Sequence, residues 1–247
     1  MVMHMLARVT FWCCLAGGVA SPVDALSDSP PDDTARVREA VRVLAFDPGK
    51  YFSSQFTGDP SMIRIAYTGD DWDWPVYSIA ISQGCLEHEE WSPACRSRVT
   101  ARMVRGVSPP NMMRQRERGW HLVHRLIERG ATAPESIRLQ LGPSLVEWLE
   151  ADLASCPGII EFMGGSATLT WVPEEISDPR PRDDFAIWVH ADIVTIVFDH
   201  SRVEATYEGP LLGGSPSAWA HELAERIEPC WRPAAASPPW SGQSHPP

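Results

Sequence analysis

The chain has 247 residues, 21 basic against 32 acidic side chains, and a formal charge of -11. That acidity excludes a protein that works by gripping nucleic-acid phosphates or anionic lipid surfaces, because such partners require a surplus of positive charge. The length suffices for one large domain or two small ones with a proper core.

Met1 to Arg8 carries one basic side chain, Val9 to Ala20 is uncharged and largely apolar, and Val23 and Ala25 supply a small pair. This is the order of an export signal. Residues 1–25 are therefore expected to be a signal peptide cut after Ala25, with cleavage after Ala20 as the alternative. The apolar run is shorter than the roughly 20 residues needed to span a bilayer, and no later segment competes. No integral membrane segment is expected in the mature chain, and its expected location is periplasmic or secreted. Processing removes Cys13 and Cys14 and leaves Cys85, Cys95, Cys156 and Cys230. An even set in an exported chain favours disulfides. Four cysteines allow three connectivities; loop-closure entropy favours the near pair Cys85–Cys95, leaving Cys156–Cys230.

Ser27 to Asp33 reads as a tether, and a helix follows with Val37, Ala40, Val41 and Leu44 on one face, ended by Asp47-Pro48-Gly49. Ser61–Thr68 and Pro75–Ser82 are rich in Ile, Val and Tyr and flank a turn-forming, acidic and aromatic tip, which predicts an antiparallel hairpin. Arg96–Val104 is ambiguous between helix and strand. Asn111–Arg129 predicts a helix with Leu122, Val123, Leu126 and Ile127 as its stripe and Gly130 as its cap. Ala131–Gly142 is the best candidate for a boundary between an N-terminal α+β part, 26–130, and a C-terminal one, 131–230, although the two can be continuous.

Ser144 with Glu147 has the form of a capping box, so a helix is expected with Leu145, Trp148, Leu149 and Leu153 on one side, stopped by Cys156-Pro157-Gly158. Gly164-Gly165 predicts a hairpin between 158–163 and 166–172. Phe185–Val189, Ile193–Phe198 and Arg202–Glu208 predict a meander, with Ile193–Phe198, apolar on nearly both faces, as the central strand. Ser215-Pro216 opens a last helix buried through Trp219, Ala220, Leu223, Ala224 and Ile227. Residues 231–247, rich in Pro and Ser, are expected to be a disordered tail. The fold class is thus α+β, a mainly antiparallel sheet with helices packed on one face and two disulfides.

Chemistry is sparse. His221, Glu222 and Glu225 approach the His-Glu-x-x-His zinc pattern, but the second histidine is a glutamate and all three are expected on the wet side of their helix. His121, His124 and Glu128 share a helix without a fourth ligand. Asp70, Asp71 and Asp73 lack the full spacing of a calcium loop. Neither Gly-Gly-Ser string completes a nucleophile elbow. No catalytic residue, metal or cofactor is expected.

The chain has 11 tryptophans, ten of them beyond residue 25. Trp72 and Trp74 stand in period-two register on the hairpin tip, placed either to stack on a partner or to fold back onto the core. His88 and Trp91 fall in the short loop that a Cys85–Cys95 bridge would close, and polar or aromatic residues on a rigid loop suit recognition. The leading expectation is an exported, non-enzymatic binding protein of the bacterial envelope, inhibitor- or immunity-like, that engages a protein or glycan through Trp72, Trp74, His88 and Trp91. The alternative is a secreted hydrolase whose site gathers His190, Asp192, Asp199 and His200 at turns of the C-terminal sheet. A pocket holding a histidine and a carboxylate within hydrogen-bond reach favours the second.

Overall fold

The computed structural model describes residues 33–52, 62–69, 74–84, 92–108, 117–165, 192–200, 203–211 and 215–241. The expected signal peptide falls in Met1–Pro30, a unit of its own that lies outside the described residues; Pro31–Pro247 make one compact unit. The elements of this unit, in chain order, are α1 (Asp33–Ala45), β1 (Ile63–Gly69), β2 (Trp74–Gln83), α2 (Pro93–Arg96), β3 (Val99–Gly106), α3 (Glu117–Glu128) and α4 (Pro134–Gln140). There follow β4 (Val146–Asp152), α5 (Ile159–Gly164), β5 (Ile193–His200), β6 (Val203–Pro210), α6 (Pro216–Ile227) and β7 (Arg232–Pro233). All the described strands join one sheet in the order β6-β5-β1-β2-β3-β4-β7, and every adjacent pair is antiparallel. The described unit is α+β, and none of its helices is long and apolar enough to cross a membrane.

The expected β1–β2 and β5–β6 hairpins form. The central strand, however, is β2 rather than Ile193–Phe198, because β2 is buried along its length up to Gln83. Its two faces are complementary in size: Tyr77, Ile79 and Ile81 point one way, Ser78, Ala80 and Ser82 the other. Small residues let helices approach closely, and aliphatic ones fill space beneath them, so both faces demand cover. The helices accordingly lie on both faces, not one. Trp219, Ala220, Leu223, Ala224 and Ile227 of α6, with Ile159 before them, pack on Ile65, Ile79, Met103, Val194 and Ile196. On the opposite face Val37, Val41 and Ala45 of α1, Leu122, Val123 and Leu126 of α3 and Ile137 of α4 pack on Ala80 and Val104. Each such aliphatic side chain, fully buried, contributes about 1.5–3 kcal/mol relative to exposure. Arg102 is buried on that second face, donating to the Tyr51 carbonyl at 2.6 Å and lying 4.7 Å from the Phe52 ring.

Three expected elements change. The capping-box segment forms strand β4: Leu145 and Val146 donate to the Gly142 carbonyl in a turn, and Leu149 and Trp148 then pair with Met103 and Val104 of β3. Its apolar residues at 145, 146, 148, 149 and 153 fit a strand buried on both faces as well as they fit a helix, and pairing with β3 decides. Around Gly164-Gly165 the first arm is helix α5, entered through Gly158 at φ +71°; the second arm, 166–172, lies outside the described residues. Arg96–Val104 resolves into the end of α2 and strand β3.

The boundary expected at Ala131–Gly142 carries α4, whose Ile137 is fully buried. The C-terminal segment is ordered through 241: β7 pairs with β4, Trp148 donates to the Ala236 carbonyl at 2.8 Å, and Trp240, 6 % exposed, donates to the Leu141 carbonyl at 2.7 Å. A Pro-rich stretch needs few internal hydrogen bonds, and two indoles suffice to hold it. Among the described residues one disulfide stands in place of the two expected: Cys156–Cys230 ties the turn before α5 to the turn after α6, with Cα atoms 6.0 Å apart. Cys85 lies outside the described residues, so the Cys85–Cys95 bridge stays an expectation; Cys95 is buried.

Candidate functional site

Beneath α6, at the end of the sheet where β1 turns into β2, lies a pocket of about 230 Å³ lined by Val76, Tyr77, Met103, Arg105, Arg118, His221, Ala224, Glu225 and Glu228. Four local features build it. A bulge in β2, where Tyr67 faces Tyr77 but Thr68 faces Pro75, inserts Val76 and turns Tyr77 under the helix. Antiparallel register sets Arg105 opposite both Tyr77 and Glu147. Gly106 and Gly119 bring the first turn of α3 against the sheet: a Cβ on Gly106 would meet the Arg118 carbonyl oxygen at 3.1 Å, and one on Gly119 would overlap the backbone of Pro75. Finally, His221, Ala224, Glu225 and Glu228 recur at spacings of three and four, and so line one flank of α6 and the turn after it.

The polar groups form two networks. In the first, the Tyr77 hydroxyl and His221 Nδ1 are 3.3 Å apart, and His221 Nε2 lies 3.4 Å from Glu225 Oε1. Tyr67 stacks on Tyr77 with ring centroids 5.0 Å apart and lies against the His221 ring at 5.6 Å; its hydroxyl donates to Asp192 Oδ2 at 2.6 Å. Burial, helped by Tyr67 and Glu225, pushes the Tyr77 phenol far above its ordinary range, so it stays protonated and available as a donor.

In the second network Arg105 binds both oxygens of Glu228, at 2.7 and 2.9 Å, and also Glu147. Burial opposes the charge on Arg105, but the hydrogen bonds to Glu228 and Glu147 outweigh it and raise its pKa. Arg118 is treated differently. Burial, and then repulsion from Arg105, lower its pKa despite Glu147 and Glu228 nearby, and its Nε is shut from solvent without a hydrogen-bond partner among the described residues.

Few of the residues expected from sequence come here. Trp74 is 6 % exposed, packed in the α1–α3 core with the Arg38 guanidinium 5.5 Å above its ring. It has folded back onto the core and presents no face to a partner. Trp72, His88 and Trp91 lie outside the described residues, as do Asp70, Asp71, Asp73 and His190. Asp192 is taken by Tyr67, and Asp199, paired in register with Glu204, sits at the opposite end of β5, about 23 Å away at a strand's rise per residue. The side chain of His200 is not among those described.

His221 turns toward Tyr77 and is partly buried, whereas Glu225 and Glu222 lie on the exposed side of the helix as expected, Glu222 binding Arg226. His124 packs on Trp120 with ring centroids 4.4 Å apart, while Glu128 goes to Arg125. No group of three or more His, Cys, Asp or Glu among the described residues is placed to hold a metal ion. Tyr77, Arg105, Arg118 and Glu228 carry no motif; only the period-two pattern of β2 and β3 and the three-four spacing after His221 connect them.

Comparison with protein-family models, with curated proteins and with solved structures finds no match to this chain.

Proposed function

We propose that the chain is an exported, non-enzymatic binding protein of the bacterial envelope, and that it holds its protein or glycan partner through the pocket under α6. One observation carries the reading: both ring nitrogens of His221 are engaged, Nδ1 by Tyr77 and Nε2 by Glu225. An imidazole placed in this way is a positioned wall of a binding site; the hydroxyl on its Nδ1 is a buried phenol held protonated, not the serine or cysteine whose proton a general base takes. The volume, below the range of pockets that enclose drug-sized ligands, suits the end group of a larger partner. The Cys156–Cys230 bridge fits an oxidising compartment, which supports export.

A second reading rests on the same histidine: His221 beside Glu225 in a pocket is the pairing from which a hydrolase builds its acid–base machinery. The two separate experimentally. Capture from a native envelope extract should be lost in H221A/R105A and kept in W72A/W91A; loss only in the second variant would move binding to the loops. Turnover of ester, peptide or glycoside substrates that disappears in H221Q would replace the binder with the hydrolase.

A further inference from the structure

Of the two guanidiniums that wall the pocket, Arg105 is matched by Glu228 and Glu147, while Arg118 has neither a carboxylate within ion-pair reach nor a hydrogen-bond acceptor among the described residues. From this imbalance we infer that the ligand of the pocket carries a carboxylate, and that Arg118 is the residue that receives it. The inference rests on the pocket being the binding site and deepens that reading by naming the chemical class.

A half-buried cation without a partner costs free energy that a surface cation does not. Burial and the neighbouring Arg105 both act against its charge, and an incoming anion relieves both at once. The planar fork of a guanidinium meets the two oxygens of a carboxylate in parallel hydrogen bonds. The surrounding charges set the valence. Glu225, Glu228 and Glu147 stand around the pocket or behind it, so a doubly charged phosphate meets more repulsion than a carboxylate with one negative charge.

The remaining walls read the rest of the molecule. The Tyr77 hydroxyl oxygen, whose proton goes to His221, keeps a lone pair that can accept from a hydroxyl group, and Met103, Val76 and Ala224 give apolar surface. A sugar acid or a short organic acid of similar size meets all three demands within about 230 Å³. The acid can come as a free metabolite-sized molecule or as the terminal residue of an acidic glycan; the carboxylate chemistry is shared.

The test is a titration of the full mature chain with sodium glucuronate, sodium acetate, glucose and inorganic phosphate at constant ionic strength, followed by calorimetry and by the Nε–H resonance of Arg118 in nitrogen-15 spectra. Glucuronate is expected to bind, acetate more weakly, each shifting that resonance. R118Q is expected to weaken glucuronate about 10- to 100-fold, the loss of a charge-assisted hydrogen bond, while melting no lower than the wild type because a desolvated cation has gone. R118K, with charge but no fork, should fall between. An oligosaccharide ending in glucuronate that binds more tightly than the monosaccharide assigns the source to a glycan; equal affinity assigns it to the free acid. Glucose binding as well as glucuronate, with R118Q unaffected, would keep the pocket as a ligand site and overturn the carboxylate. Phosphate binding more tightly than both acids would also overturn it. No response to any probe at any pocket resonance would remove the pocket reading itself.

Discussion

Removal of the Cys156–Cys230 bridge should produce one of the largest losses of stability available to a conservative double substitution in this chain. The cysteines are 74 positions apart, and cutting a cross-link of that span returns about 15 cal/mol/K of loop-closure entropy to the unfolded chain, or about 4.5 kcal/mol at 25 °C. For a unit of this size each kcal/mol moves the melting temperature by about 2–4 °C, so C156A/C230A should melt about 9–18 °C below the wild type. Urea unfolding followed by circular dichroism checks the cause as well as the size. If the bridge acts on the unfolded state, the variant's denatured chain is less compact, and the dependence of stability on urea should steepen as the midpoint falls. A loss under about 1 kcal/mol, or a lower midpoint with an unchanged slope, would refute the loop-closure account.

Gly119→Ala should cost about 1–3 kcal/mol, because the added methyl overlaps the Pro75 backbone and pushes the first turn of α3 outward; differential scanning calorimetry measures it, and an unchanged melting temperature would contradict the close approach. Trp240→Ala should cost about 3 kcal/mol from lost burial, and hydrogen exchange should then show residues 232–241 losing protection while β2 keeps its own; uniform loss would mean that the tail belongs to the global core. His121 is held below its ordinary value of 6.5, first by burial and then by Arg125 and His124 against the opposing Glu128. The unfolded chain therefore takes up that proton first as pH falls through about 6.5, and stability should decline between there and the lower folded value. In H121N that part of the pH–stability curve should flatten; an unaltered curve would place the titration elsewhere.

The β1–β2 and β5–β6 hairpins and the last helix were legible because their signals are local. Val37 and Val41, or Trp219, Leu223 and Ile227, recur at helical spacing and have one face to bury, and Ile63, Ile65 and Tyr67 alternate as a half-covered strand does. The segment from Leu145 to Leu153 was not legible: its apolar residues satisfy both periods, and the deciding fact is the bare edge of β3, which is not written in those residues. The helices on two faces follow from Ser78, Ala80 and Ser82, small residues that read as unremarkable until their strand is known to be central. Trp240 was hidden by composition, since one indole in a Pro-rich stretch anchors it and the average does not register a single residue.

The site was less legible than the fold. His221 and Glu225 stood out as a broken zinc motif, but their partner Tyr77 lies 144 positions away, and Arg105 reaches Glu228 across 123. A bulge and two glycines bring these groups together, and neither a bulge nor a close helix approach leaves a pattern that a window of neighbouring residues can contain. The loop tryptophans drew attention for the converse reason: aromatic residues are conspicuous in a turn whether they face outward or, like Trp74, inward.

The placement of β1 between β2 and β5 has a consequence for the order of assembly. Ile63 pairs with Ile81 on one side and with Phe198 on the other, so one hydrogen-bonding edge of the strand next to the middle one waits for a segment made more than a hundred residues later. During synthesis the nascent polypeptide can close its first hairpin early, yet the sheet cannot be completed until the final third of the chain has emerged. Such long-range pairing folds slowly, and the incomplete intermediate is open to aggregation through that edge for the whole interval.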